Sequence, residues 1–318
     1  MTRSPPNITR RDTLLAGLGC AMAAPVAGWA ASSGAAAASG QVVATDLGGD
    51  LVLYAGAGGN VVGLRTGDGL LLVDSGLAQQ SKALLGAVQD KQGGGPVRYL
   101  LNTHWHVDHT GSNEVLAAAG AKIVAHENTK LWMGQEVTCA WENRTYPPRP
   151  TRALPAETFF YDSKQLSFGG AQVEYGYLPQ AHTDGDMYVR FPAQNLLVGG
   201  GVVSGGRYPV LDYSTNGWLG GMLDGLKILL DKSDAQTRIV SGGGSLRTKA
   251  DLQAQYDMCL AVLKKISDSY YKGQTWQEFL ASKPTRDFDA QWGEPDIFLA
   301  TAYKGAWYHI NEIRRITR

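Results

Sequence analysis

The stretch "LNTHWHVDHTGSN", Leu101 to Asn113, sets His104, His106 and His109 close together and puts Asp108 directly before the last of them. These are three of the chain's six histidines. Histidines two apart in a strand-end loop can aim their ring nitrogens at a common point, which suits a tetrahedral zinc site built from neutral imidazoles. A lone histidine is more often structural, but three with an intervening aspartate are hard to explain as core or surface. Asp108 and His109, next along the same turn, are placed to face a second ion or a metal-bound water. A third zinc ligand must come from elsewhere, and His182 in the loop "QAHTDGD" is the candidate. The other two, His126 closing a strand and His309 near the C-terminus, read as packing or surface residues.

The elements that must hold these residues alternate. "LVLYAGAGGNVVGLRTGDGLLLVDSG" gives two β-rich apolar runs with a hairpin at Thr66-Gly67-Asp68-Gly69, the second run ending at Asp74. "SKALLGAVQDKQ" has helical spacing, "PVRYLLNTH" reads as a buried strand, "NEVLAAAG" as a short helix and "AKIVAH" as a strand. The histidine motif therefore lies on a loop just after a strand, where layered α/β proteins place their chemistry. Residues 127–165 break the rhythm; with the proline- and arginine-rich "WENRTYPPRPTRALP" they read as an excursion, either a wall of the site or a packed connector.

The pattern then repeats. "QVEYGYLP", "MYVRF", "NLLVGGGVV" and "TRIVSGGGS" read as strands, and "GWLGGMLDGLKILLDK" as a helix. From Lys249, Leu252, Tyr256, Leu260, Leu263 and Ile266 form an apolar helical stripe, and Thr275 with Glu278 is a capping-box signature. Two successive β-rich, helix-flanked halves suggest a four-layer sandwich.

Composition limits the partners. The 318 residues carry 29 basic and 29 acidic side chains, with no basic run or aromatic-interleaved patch, so a small molecule is favoured over a nucleic acid. Arg10 and Arg11 precede an uncharged, alanine- and glycine-rich run, which resembles a twin-arginine export signal cleaved between Ala27 and Ser39. The expected organisation is a signal and linker over residues 1–39, then a single domain over 40–318 with a C-terminal helical extension. The expected location is the periplasm, with no membrane span left after cleavage. Cys139 and Cys259 read as separate buried thiols rather than a framework.

His104-x-His106-x-Asp108-His109, the upstream "VDSG", the distant "AHTDGD" and the later "GRYPVLD" together resemble the metallo-β-lactamase superfamily, from about Leu51 to at least Leu252. The resemblance implies an α/β fold, the four-layer αββα sandwich, with a hydrolase site between two sheets. It implies that His104, His106 and His182 hold a first zinc, that Asp108 and His109 contribute to a second, and that Asp74 and Asp186 orient ligands from behind.

The chain departs from the family at two places. The aspartate that usually bridges both metals falls on Gly201, and the histidine of the usual Gly-His-Gly loop falls on Gly243. From Ala193 through Leu211 and from Ala235 through Ala250 there is no Asp, Glu, His or Cys to substitute. Losing ligands from a hydrated site weakens it, whereas three imidazoles plus water is the usual arrangement of a catalytic zinc. Paired glycines are also what deliberate substitution in a dinuclear parent leaves behind.

Two readings follow. In one, the chain is an exported mononuclear zinc hydrolase of amides, lactones, esters or thioesters, β-lactams included, with Asp108 as general base or water-orienting group and His109 holding substrate oxygen or moving a proton. In the other, a degenerate family member binds a ligand or partner with little turnover. Trp105, Tyr208 and Trp218 could line an apolar pocket or simply pack. Arg207 could meet a substrate carboxylate or pair with Asp212.

Overall fold

Register explains how the first half is put together. In the computed structural model, which describes residues 41–317, strands β1 (Val43–Gly48), β2 (Leu51–Ala57), β3 (Gly59–Thr66) and β4 (Gly69–Val73) form an antiparallel meander. The run that reads as one strand in sequence thus folds back on itself at Gly58, whose φ of +107° is open to glycine and whose missing Cβ leaves space for Leu77. Helix α1 (Ser81–Gln92) crosses back to β5 (Val97–Leu101), which lies parallel to β4 with Val73 opposite Leu101. After the short helices α2 (Val107–Thr110) and α3 (Asn113–Ala118), β6 (Lys122–His126) adds in parallel to β5.

The 127–165 segment is more regular than its sequence suggests. It contains α4 (Glu127–Met133), a two-stranded hairpin β7 (Val137–Cys139) and β8 (Arg144–Tyr146), and β9 (Glu157–Phe159), which pairs parallel to β6 and completes a seven-stranded sheet. Strands of three residues and a seven-residue helix are too short to show a period. Met133, Val137, Cys139 and Tyr146 form a satellite core with Trp105, so the segment is packed against the motif loop.

The second sheet has five strands in the order β10 (Ser163–Phe168), β11 (Ala171–Leu178), β12 (Asp186–Phe191), β13 (Leu196–Gly200) and β14 (Arg238–Ser241). Helix α5 (Leu219–Asp231) joins β13 to its parallel partner β14. Then come α6 (Lys249–Tyr271), α7 (Trp276–Ala281), α8 (Asp289–Trp292), α9 (Asp296–Tyr308) and α10 (Ile310–Thr317). Thr248 with Asp251, and Thr275 with Glu278, close reciprocal capping boxes at the starts of α6 and α7.

Period-2 alternation sorts the layers. Leu71 and Val73 of β4 point inward to a core shared with Val189, Val198 and Val240 of the second sheet. Leu70 and Leu72 point outward beneath Leu84 and Val88 of α1. Because both faces are covered, "LLLV" reads as a continuous apolar run, and each such leucine contributes roughly 1.5–3 kcal/mol by leaving water. On the far side, Leu197 and Ile239 pack under Met222 and Leu226 of α5, Leu252 and Val262 of α6 and Phe298 of α9. The layers are helix, sheet, sheet, helix. Cys139 and Cys259 are free and buried. No helix among the described residues is long and apolar enough to cross a membrane. The Arg10-Arg11 signal reading lies outside the described residues.

Candidate metal centre

The parallel pairing of β4 and β5 places the end of one strand beside the start of the motif loop. Asp74 follows β4 with φ of +63°, and its N–H donates to Leu101 O. Its carboxylate accepts from Thr103 N at 2.7 Å, Thr103 Oγ1 at 2.8 Å and His109 Nδ1 at 2.8 Å. Asp74 therefore braces the loop that carries the histidines. Asp186 performs a similar task for the other loop, accepting from Thr183 N and Thr183 Oγ1 just after His182. Burial pushes the Asp186 carboxyl up to about 7.

Each of the three predicted ligands has one ring nitrogen committed to an acceptor. Thr103 gives its single hydroxyl proton to Asp74, so Thr103 Oγ1 accepts from His104 Nδ1 at 3.0 Å. His106 Nε2 donates to Asp212 Oδ2 at 3.1 Å, and His182 Nδ1 donates to the Val210 carbonyl at 2.8 Å. The lone pairs left over are on His104 Nε2, His106 Nδ1 and His182 Nε2. One donor atom from each of the three residues lies within 4.8 Å of the others. His106 Nδ1 and His182 Nε2 face each other at 2.9 Å, close enough to share a proton and turned toward the same point as His104.

Electrostatics favour the neutral ligand form at two of the three rings. Burial, reinforced by the neighbouring histidines, drives the His104 pKa well below its ordinary value and takes His182 down to about 4, so both rings are neutral at pH 7. Burial also opposes charge on His106, but the hydrogen bond and charge of Asp212 outweigh it and raise its pKa. Asp212 is buried yet held down to about 2 by His106 and Thr215. Neutral imidazole nitrogen is the ligand zinc favours, and three of them with an open position fit one ion.

The fourth histidine behaves differently. His109 is buried between Asp74 and Asp108, whose Oδ2 lies 3.6 Å from His109 Nε2. Burial lowers its basicity, but those two carboxylates raise its pKa to about 9, so the ring is a cation at neutral pH. Asp108 is the acid of the motif that reaches solvent, with a side chain 45% exposed. Desolvation pushes its carboxyl up, His109 and His106 pull it further down, and the net direction is down.

The two departed positions are not equivalent. A Cβ on Gly201 would lie 2.2 Å from His182 Cδ2, so the His182 ring already fills the space from which a side chain at 201 would grow. At Gly243 a Cβ would meet nothing within 4 Å. The loop around it is fixed to the first sheet: Asn60 Nδ2 donates to Ser241 O and Gly244 O, and Asn60 N to Gly242 O. Among the described residues, the one group of three or more His, Cys, Asp or Glu whose donor atoms converge is the three-histidine set. The residues present fit one metal ion and supply no second set of three.

Of the four residues singled out as possible substrate contacts, the three aromatic ones are buried in packing. Trp105 is 1% exposed in the satellite core, and its Nε1 donates to Thr215 Oγ1. Tyr208 is buried, stacks on Phe298 and donates to Asp289 Oδ1. Trp218 is buried and stacks on His309 at 4.0 Å between centroids. All three pack rather than line a pocket. Arg207 is exposed, and the Asp212 carboxylate is engaged instead by His106, Trp141, Thr215 and the Ser214 N–H. His126 caps α4, accepting from Asn128 N, and stacks on Tyr177.

Sequence reasoning missed the roles of Asp212 and Thr103. Asp212 carried a local signal, since Asp followed by Ser214 and Thr215 is a capping pattern and its Oδ1 does accept from Ser214 N. Nothing in its neighbourhood points to His106. The indoles of Trp132 and Trp141 come from the 127–165 segment and donate to Asp184 and Asp212, so that segment is both packed and a wall behind the site.

The comparisons with known proteins agree with this arrangement. Three solved structures are similar to this chain: a metallo-beta-lactamase from Pontibacter korlensis (21% identity, TM-score 0.57, covering 69% of this chain and 99% of that one), the DIM-1 metallo-beta-lactamase (17%, 0.55, 69% and 97%) and a metallo-beta-lactamase from Hirschia baltica (18%, 0.55, 69% and 98%). At these identities they speak for the fold. The family model of the metallo-beta-lactamase superfamily matches residues 55–238, more than half of the chain, and with the converging histidines this establishes that the chain belongs to the metallo-beta-lactamase superfamily.

Proposed function

We propose that the chain is a zinc-dependent hydrolase of carbonyl-type small molecules (amides, lactones, esters or thioesters), working from a mononuclear site on His104, His106 and His182. The observation that carries this reading is the convergence of His104, His106 and His182, one donor atom of each within 4.8 Å of the others, with an acceptor on the opposite ring nitrogen of each. When bound there, zinc supplies Lewis acidity and brings the pKa of water beside it towards ~7. Thr103, Asp212 and the Val210 carbonyl hold the ligand tautomers. Asp108, ionised and open to solvent beside His106, takes the proton from the attacking water and passes it to the leaving group. His109, kept cationic by Asp74 and Asp108, donates to the oxygen on which negative charge develops.

The Arg10-Arg11 pattern supports export, so substrates met outside the cytoplasm, β-lactams among them, come first in a screen. A second reading, a family member that binds with little turnover, is favoured by the open space at Gly243, where nothing completes the wall of the site.

Elemental analysis of the purified mature chain, before and after excess zinc and desalting, tests the proposal together with assays on β-lactams, lactones and thioesters. One zinc per chain with turnover that His182→Ala abolishes is the expected result. Two zincs overturn the mononuclear reading, and one zinc without turnover of any class turns the balance to the binding protein.

A further inference from the structure

A cavity of about 170 Å³ lies on the seam between the sandwich and its C-terminal helices, lined by Val203, Gly206, Arg247, Leu252, Gln255 and Trp292 among others. It shares no lining residue with the three-histidine group. Two covers meet there: the turn after β13, where Gly205 rests against Gly243 O, and α8, whose Trp292 O accepts from Tyr208 N.

The polar groups around the cavity are unequally committed. Gln255 is used at both ends, accepting from Ser204 N and donating to Val202 O. Asp251 is taken by the helix cap, accepting from Thr248 N and Thr248 Oγ1. Arg247 is not taken: its Nε is buried with no hydrogen-bond partner, and it forms no ion pair among the described residues. The guanidinium is nonetheless held in place. Its backbone pairs both ways with Ile239, and its Nη2 lies over Gly206, 2.0 Å from where a Cβ would stand. The side chain is partly exposed, but a buried Nε without a partner costs free energy, and the planar donor fork matches a carboxylate.

We propose that this cavity binds a small organic monocarboxylate. The volume compares with the ~150 Å³ engineered cavity that admits benzene, so an aryl or short branched acid fits. Val203, Leu252 and Trp292 receive the apolar part, and Arg247 the carboxylate. The capped carboxylate of Asp251 on the same wall favours a single negative charge over a phosphate dianion.

The probe is phenylacetate, titrated calorimetrically into the full mature chain, with phenylacetamide as its neutral isostere. One saturable equivalent is expected, with the amide at least about tenfold weaker. Arg247→Gln should lose about tenfold or more and Arg247→Lys less, each checked for folding by thermal melt. His104→Ala and zinc removal should leave binding unchanged. Equal binding of acid and amide, full affinity in both Arg247 variants, or loss of binding with the metal would each overturn the proposal, the last by placing the acid on the three-histidine site. Absence of binding by phenylacetate and by isobutyrate alike would also overturn it.

Discussion

His106 and Asp212 are joined Nε2 to Oδ2 at 3.1 Å across 106 positions of sequence, and the same carboxylate gathers Thr215 Oγ1, Trp141 Nε1 and Ser214 N. A helix-turn cap in the second half of the chain thereby decides which nitrogen of His106 is free. Partners of this kind fix ring orientation and ligand basicity.

Asp212→Asn keeps the shape but offers an amide that can present either end to His106. Zinc affinity, measured by competition with a chelating dye, should fall about 10- to 100-fold. An unchanged affinity in a variant that melts normally would show that the His106 tautomer is set elsewhere.

The two glycines give opposite outcomes. Gly201→Asp must displace the His182 ring and should cost about 1–3 kcal/mol of stability and lower zinc content. Gly243→His enters open space and should stay within about 0.5 kcal/mol of the parent. Denaturant melts on both variants, with zinc counted in each, check this; a stable Gly201→Asp holding two zincs would refute it.

For the metal-free chain, His109 sets the alkaline side of stability. Its pKa rises from 6.5 to about 9 on folding, so the folded state binds more protons between those values. The stabilisation is complete below pH 6.5 and is lost as pH rises through 9. With His106 shifted the same way, unfolding free energy should drop by about 3 kcal/mol over this range. His109→Asn should flatten most of that slope in urea melts between pH 6 and 9.5.

His126 separates packing from ligation. Removing it with His126→Ala deletes the α4 cap and the Tyr177 stack and should lower stability by about 1–2 kcal/mol, while zinc per chain stays at one. His104→Ala should lose the zinc. If both variants lost zinc equally, the assignment of the ligand set would be wrong.

Much of this was legible in the sequence because it is local. The motif loop, its place after a buried strand, and the capping boxes of α6 and α7 are patterns within a few residues. His182 could be reached by elimination among six histidines. The supports were not legible, since Asp212, Thr103 and the Val210 carbonyl act through tertiary neighbours with no fixed spacing. The elements inside the 127–165 segment were not legible because its strands and helix are too short to show a period. For Trp105, Tyr208 and Trp218 the choice between lining and packing stayed open, because closeness in sequence to a site loop says nothing about which way an aromatic ring faces.

The three ligand supports differ in chemical kind: a hydroxyl behind His104, a carboxylate behind His106 and a main-chain carbonyl behind His182. A main-chain oxygen survives every substitution at its own position. The electron-donating strength of His182 is thus shielded from point mutation at position 210, and adjustment of the centre through its backing groups falls to Thr103 and Asp212. Natural drift and laboratory selection alike have two dials here, and the third is welded.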